Sequence, residues 1–522
     1  MSLYRFFQTK EENKSMEKVA LFELSSTAIR MTLCQAENNE YFFVFKEYSE
    51  HIYINEHIEG DGMIKSSKIK ECISLLQIYK KICESQGITK IYCVVGASLS
   101  AAKNYSSFME EASSMCGLDF KMLSESEEVA AVYASVINTL DVPKGVIVNI
   151  SGHWTRIIHY NRRVVLDSIT LPHGSANLKA DNLSLTGTIA TITKELSKKA
   201  SFLTGLDPES VIIGVSDVFT SVGRLSRKMR KYPIDIDYNY NFDTEYFKQV
   251  FDLVKTLDVE KKQKLKGISS HSAATILSGM CIIEAVLQFS KLRNIVVAPA
   301  YRNLGLMFNY ALPYTAERPV SDVLGYSLET IAAVAGLNKK ECEARYALAL
   351  LLFKQLKVLH KLPRVYAKVL RIASYLYHIG QRVNSLNYEK VNYNAILNCG
   401  LCGASHKEIV LAAFTAAQKK WEDFNLSEWV RYKDITTDDD LEAVRKLSII
   451  VAIAEALNIR NCNAIKDISC DILGDSVILK LIAEDNTKAT KVDVKALQME
   501  IFYAKKYGSE FVKAFKKNLE IL

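Results

Sequence analysis

Proline and glycine are scarce, 8 and 22 among 522 residues. That excludes a collagen-like repeat, a Pro-rich linker protein and extensive low complexity. Long apolar runs are missing too. The longest, near Ile276–Phe289, is interrupted and falls short of the roughly 18 residues that a membrane-spanning helix needs. The N-terminus, MSLYRFFQTKEENKSMEK, is charged and has no apolar signal core, so a cytoplasmic location and no membrane association are expected. Charge of one sign is not dominant: 66 basic against 59 acidic residues leave +7, which permits an anionic ligand without demanding one. The 11 cysteines are scattered and odd in number, and in a reducing cytosol they read as small buried hydrophobes rather than a disulfide framework.

What is present is ample apolar material, 49% of the chain, and a length that predicts about three or four domains. The first 170 residues alternate strand and helix signals. Val19–Leu24, Ile29–Cys34, Tyr41–Phe45 and Ile88–Val95 read as strands. Ser66–Gln86 reads as a helix, because Ile69, Ile73, Leu76, Tyr79 and Cys83 recur every three or four residues and Gly87 follows as a stop. Phe108–Cys116 is a short helix, and Ser124–Leu140 opens on a capping box, Ser124 with Glu127. This alternation predicts an α/β domain.

The opening pattern then recurs. VALFELSSTAIRMTL (Val19–Leu33) and GVIVNISGHWTRIIH (Gly145–His159) align without gaps at an offset of 126 residues, Glu23 on Asn149 and Ser25 on Ser151. Both read as strand, small-polar turn, strand. A duplicated α/β unit with two lobes facing a cleft follows, and turns of small residues let backbone N–H groups approach an anion. Ser272–Phe289 is a long helix and Asn294–Pro299 a strand. Beyond the linker bracketed by Pro313 and Pro319 the chain reads as helices: Lys339–Leu362, Tyr366–Gly380, His406–Phe424 and Leu441–Asn458. The tail alternates again, with Ser476–Ile482 a strand and Leu497–Tyr507 a helix.

In this order, VALFELSSTAIRMTL, VVGASLSAAKN, FKMLSESEEVAAVYASV, GVIVNISGHWTRIIHY, GISSHSAATILSGMCIIEAVLQF and VVAPAYRNLGLMFNY resemble the exopolyphosphatase/guanosine pentaphosphatase (Ppx/GppA) family, from about Lys18 to the chain end. The resemblance implies duplicated actin-like (ribonuclease H-like) ATPase lobes at 1–141 and 142–312. It also implies an all-α HD-like domain at 320–465 and a small α/β segment at 466–522. It implies Mg²⁺-dependent hydrolysis of phosphoanhydride bonds in polyphosphate or guanosine pentaphosphate. Such chemistry needs donors for phosphate charge, a metal, and a base for the attacking water.

The family's first turn, Asp-x-Gly-Ser-Asn-Ser, falls on Glu23-Leu24-Ser25-Ser26-Thr27-Ala28. Glu23 keeps a carboxylate toward Mg²⁺, and Ser25, Ser26 and Thr27 keep phosphate donors. A family arginine falls on Ser100. The Glu-Glu-Ala pair falls on Glu127-Glu128, which makes Glu128 the candidate general base. The second turn, Asp-Ile-Gly-Gly-Gly-Ser-Thr-Glu, falls on Asn149 to Arg156: Ser151, Gly152 and Thr155 remain as phosphate binders, Asp becomes Asn149, and the catalytic Glu becomes Arg156. A guanidinium cannot accept a proton or bind Mg²⁺, but it can pair with phosphate. A Gly-Gly-Thr turn falls on Ser216-Asp217-Val218, and Arg302 matches a family arginine. The HD residues fall on Tyr377-His378 and Asn458, with no His in Glu341–Tyr346, so no HD metal site is expected and that domain reads as structural or as a homodimer surface.

Plainer readings stand beside these. The capping box and the helix dipole explain Glu127 and Glu128. Arg156 also reads as a surface residue on a drifted hairpin, and His153 and Trp154 as occluding the old phosphate pocket or stacking on a base. Cys399-x-x-Cys402, near His406, is a lone pair without a second CxxC and reads as a turn. Arg224, Arg227, Lys228, Arg230 and Lys231 read as a solvated helix face or as a polyanion channel, and no aromatic-interleaved nucleic-acid motif is present. Two functions remain. One is a divergent phosphatase with Glu128 as base and Glu23 helping Mg²⁺. The other is a member without catalysis that binds polyphosphate, a guanine nucleotide or a protein. The combined loss at Asn149, Arg156, Ser100 and the glycines favours impaired or lost catalysis.

Overall fold

The computed structural model describes residues 16–25, 27–37, 40–58, 60–96, 99–100, 102–178, 184–298, 302–311, 320–420, 422, 424–461, 463–483 and 494–522. The chain divides into two compact units, one of residues 1–231 and 235–321, the other of 232–234 and 322–522.

The first unit holds two sheets. In the first, β1 (Met16–Leu24), β2 (Ala28–Glu37), β3 (Tyr41–His51), β4 (Lys90–Val95) and β5 (Lys121–Met122) lie in the order β3-β2-β1-β4-β5. β1 runs antiparallel to β2 and parallel to β4. The second sheet is built from β6 (Lys144–Ile150), β7 (Thr155–Asn161), β8 (Val164–Leu171), β9 (Val211–Val215), β10 (Asn241–Asp243) and β11 (Asn294–Val297), in the order β10-β11-β9-β6-β7-β8. Without β10, the second order repeats the first. The repeat reaches single hydrogen bonds: Ser25 N–H donates to Ala28 O and Ser151 N–H to Trp154 O, each at 2.9 Å. It also reaches the register, with Glu23 opposite Arg30 and Asn149 opposite Arg156.

The first sheet is covered by the helix Ser66–Ser85, whose Ile69, Cys72, Ile73, Leu76, Tyr79 and Cys83 are buried, and by Tyr105–Cys116. Gly87 and Gly117, at φ 69° and 62°, supply the left-handed residues that follow them. The helix Glu125–Ile137 starts at the expected capping box, Ser124 with Glu127. It leaves the first sheet and packs Val132, Val136 and Ile137 on Ile147, Ile158 and Ile213 of the second. The helix Arg302–Tyr310 makes the reverse crossing. Phe308 meets Phe42 edge-on at 5.0 Å and Tyr310 stacks on Tyr92 at 4.3 Å. Where the two helices pass, Gly305 lies so close that a Cβ would stand 1.7 Å from the Ala131 carbonyl oxygen. The lobes therefore exchange a helix each, in addition to following one another in the chain.

The second unit is mainly helical, with Val323–Val334, Lys339–Gln355, Tyr366–Tyr375, Tyr388–Asn398, His406–Ala417 and Asp438–Ala456. The helix expected over Lys339–Leu362 breaks at Leu356. A short turn, Lys357–His360, ends at Lys361 with φ 55°, ahead of Leu362-Pro363, where proline disfavours helix in the residue before it. The helix expected to reach Phe424 stops at Ala417, where Gln418 turns extended and donates its side-chain amide to Lys420 O. A three-stranded sheet, β12 (Ile465–Leu473), β13 (Ser476–Ala483) and β14 (Asn518–Ile521), closes the chain, with Gly474 at φ 54° in the first hairpin. β12, β14 and the helix Tyr388–Asn398 are additions to the sequence reading.

Candidate functional site

Two turns and one ion pair define the candidate site. In the first turn, between β1 and β2, Ser25 Oγ accepts the Ala28 N–H at 3.0 Å and donates to the Ala28 carbonyl at 2.9 Å. In the second, between β6 and β7, Ser151 Oγ lies 3.4 Å from both the His153 and Trp154 N–H groups. Each serine hydroxyl faces amides of its own turn. The second turn is also tied from outside. Ser175 and Ala176 N–H donate to the Ser151 and Gly152 carbonyls at 2.8 Å, and Thr155 Oγ1 donates to His173 O at 2.8 Å. Gly174 permits this approach, since a Cβ there would lie 2.5 Å from the backbone of Ser151, Gly152 and His153.

Glu128 lies in the first turn of its helix and Arg156 on β7. Their side chains, 1% and 4% exposed, form an ion pair between Arg156 Nη2 and Glu128 Oε2. The Trp154 ring covers the guanidinium, whose carbon is 3.6 Å from the ring centroid. Arg156 is thus neither a surface residue nor the outer wall of a pocket. It is a buried counter-ion to Glu128, packed by the aromatic residue two positions before it, on the same side of the strand. Asn149, opposite Arg156 in register, brings no charge to the pair.

The other candidates are placed by their own elements. Glu23 is buried on β1, with Arg30 as its register partner. Ser26 lies outside the described residues, and of Arg302 the backbone alone is described, at the head of its helix. Ser216 caps the helix Asp217–Met229, accepting from the Phe219 N–H. In that helix Arg224 Nε reaches both Asp237 carboxylate oxygens at 3.0 and 2.9 Å, and the buried Arg227 pairs with Asp237 and Asp235. Burial would raise the Asp237 carboxyl, but the hydrogen bond and charge of Arg224 and the charge of Arg227 hold it below the ordinary value. Lys228 donates to the Lys266 carbonyl, Arg230 lies over the Tyr246 ring at 4.2 Å, and Lys231 adopts φ 51° just past the helix. Two of the five cations, Arg224 and Arg227, are therefore paired with acids of their own lobe. Asp235-x-Asp237, a few residues downstream, is the signal that announced it.

In the second unit Arg345 pairs with Glu455, and His378 Nε2 stands 3.0 Å from Glu455 Oε1. Arg345 Nη2 lies 3.0 Å from His378 Nδ1. A guanidinium can only donate, so this ring carries its proton on Nε2. Burial opposes the Glu455 charge, but the His378 hydrogen bond and Arg345 outweigh it and hold the carboxyl at about 2. Cys399 and Cys402 are pushed up to about 12 by burial, far from the thiolate that redox or metal chemistry needs. Among the described residues no group of three or more His, Cys, Asp and Glu is placed to hold a metal ion.

With this geometry in view, comparison with known proteins is decisive for the family. The model of the Ppx/GppA phosphatase family matches residues 35–308, more than half the chain. The chain belongs to the Ppx/GppA phosphatase family. Two crystal structures show the same fold. The Aquifex aeolicus Ppx/GppA family member is 20% identical, with a TM-score of 0.52, over 58% of this chain and 100% of its own. An exopolyphosphatase from Cytophaga hutchinsonii is 11% identical, with a TM-score of 0.50, over 57% of this chain and 99% of its own. No curated protein matches the chain. The actin-like lobes of the Ppx/GppA fold thus account for the first unit. Among the described residues no helix is long and apolar enough to cross a membrane.

Proposed function

We propose that this Ppx/GppA protein is a phosphoanhydride hydrolase whose catalysis is impaired or lost, and that its ligand is polyphosphate or a guanine nucleotide. The observation that carries this reading is the buried pair of Arg156 and Glu128. A general base must offer a lone pair to the attacking water. Here a guanidinium holds the carboxylate and Trp154 shields the guanidinium, so freeing the carboxylate would break a buried ion pair. Mg²⁺ does not fit this donor set: Glu128 is committed to a cation and Asn149 is neutral, which leaves Glu23 without a second carboxylate from these positions. No step is therefore routed through a metal. The turns keep their hairpin form, and phosphate would have to compete with Ser25 and Ser151 for the turn amides.

The second unit reads as an HD-like domain whose metal-ligand positions fall on Tyr377-His378 and Asn458 and therefore hold no metal, and its surface as a site for a second copy. A restoration experiment tests the main reading. The double variant Asn149→Asp/Arg156→Glu returns both family carboxylates, and it is expected to release phosphate from polyphosphate with Mg²⁺ at least tenfold faster than the unmodified chain. A folded double variant with no gain would speak against the ion pair as the cause of the loss.

A further inference from the structure

One cluster outside the ion pair joins the two lobes of the first unit. His51 ends β3 in the first lobe, and His271 lies in the segment before the helix Ile276–Ser290 of the second. Their rings stack at 4.1 Å between centroids, 21° from parallel. Tyr53 OH lies 2.6 Å from His271 Nδ1, and the Tyr53 ring stacks on His51 at 5.8 Å. Tyr53 holds a left-handed conformation, φ 44° and ψ 51°, which is uncommon for a bulky residue and marks a position that its surroundings enforce. What enforces it is the first turn: the N–H groups of Ile52 and Tyr53 both donate to the Thr27 carbonyl, at 3.0 and 3.1 Å. The strap thus runs from the small-polar turn of one lobe, through Tyr53, to an exposed histidine of the other.

We propose that His51, Tyr53 and His271 form a pH-sensitive clasp that fastens the second lobe to the first turn. Two neutral imidazoles stack favourably, whereas two imidazolium rings face to face repel. The charged neighbours of His51 are Arg30 on β2 and His271, which oppose its protonation, and Glu50 on β3 and Asp217 at the head of the helix Asp217–Met229, which favour it. Burial, then His271, then Arg30 outweigh the two acids and lower His51 from its ordinary value. The sign follows. A histidine whose folded value is depressed contributes stability that is fully present above the unfolded value, about 6.5, and lost as pH falls through the folded one. The clasp is closed at neutral pH and above, and loosens as pH falls below the ordinary histidine range.

A double-mutant cycle of His51→Gln and His271→Gln, read as Tm at pH 8 and at pH 5, tests this. The expected result is a favourable coupling of roughly 1–3 °C at pH 8 that vanishes or changes sign at pH 5. An equal coupling at both pH values, or none at pH 8, overturns the proposal. Should a variant fail to fold, hydrogen exchange of residues 265–275 in the unmodified chain, corrected for intrinsic rates, decides instead. Protection that drops several-fold between pH 8 and pH 5 supports the clasp, and unchanged protection overturns it.

Discussion

Arg156 donates to Glu128 across the boundary between a strand of the second sheet and a helix that the first lobe sends over to it. In the duplicated pattern Arg156 corresponds to Arg30, and Asn149 to Glu23. The first hairpin therefore keeps an acid opposite an arginine. In the second, Asn149 stands in the acid's place, and the arginine pairs with the carboxylate of the neighbouring helix.

The pair makes a stability prediction that is independent of activity. Glu128→Gln removes the carboxylate that a buried guanidinium pairs with and is expected to lower unfolding stability by about 3–5 kcal/mol in a urea titration. Glu128→Leu combined with Arg156→Met removes both charges and is expected to restore most of that loss. If the single variant were as stable as the unmodified chain, the pair would not be the buried, matched unit described here.

The helix exchange predicts a second sensitive position. Gly305→Ala would drive its Cβ into the Ala131 carbonyl, and backbone cannot yield as a side-chain end can. We expect a loss of roughly 3 kcal/mol or more, or failure to fold. Gly60→Ala, where a Cβ meets nothing, is the control and is expected to lie within about 0.5 kcal/mol of the parent. Circular dichroism during thermal unfolding would separate the two.

Acid sensitivity is the third expectation. Glu455 is held at about 2 against an ordinary 4.5. A carboxyl depressed in the folded state contributes stability that is present above pH 4.5 and lost as pH falls toward 2. The expected contribution is about 3 kcal/mol at neutral pH. Glu455→Gln should be less stable at pH 7 and show a flatter decline between pH 4.5 and 2. A variant curve parallel to that of the parent would contradict this assignment.

How much of this was legible depended on distance along the chain. The duplication was, because an ungapped offset of 126 residues carries the same turn twice and both turns form the same hydrogen bond. The capping box at Ser124 was, because its partners are three residues apart. The end of the helix Lys339–Gln355 was not, because apolar periodicity runs through Leu356 while the break is set by the approach to Pro363. The partner of Arg156 was not, because Glu128 lies 28 residues away on another element. The arginine at position 156 is plain in the sequence, but the partner of its charge is set by the packing of a helix on the other lobe's sheet. The same holds for His51 and His271, which nothing in the sequence connects. Asp235 and Asp237 lie within 13 residues of Arg224 and Arg227, near enough along the chain for the pairing to be legible.

The central claim is that the arginine has silenced the base, and phosphate release tests it most directly. The unmodified chain would be incubated with Mg²⁺ and either long-chain polyphosphate or guanosine pentaphosphate, beside a heat-inactivated sample. Release at or near the level of the inactivated sample for both substrates is the predicted result. Magnesium-dependent turnover well above that level, abolished in a folded Glu128→Gln variant, would show that Glu128 still works as a base and would contradict the account.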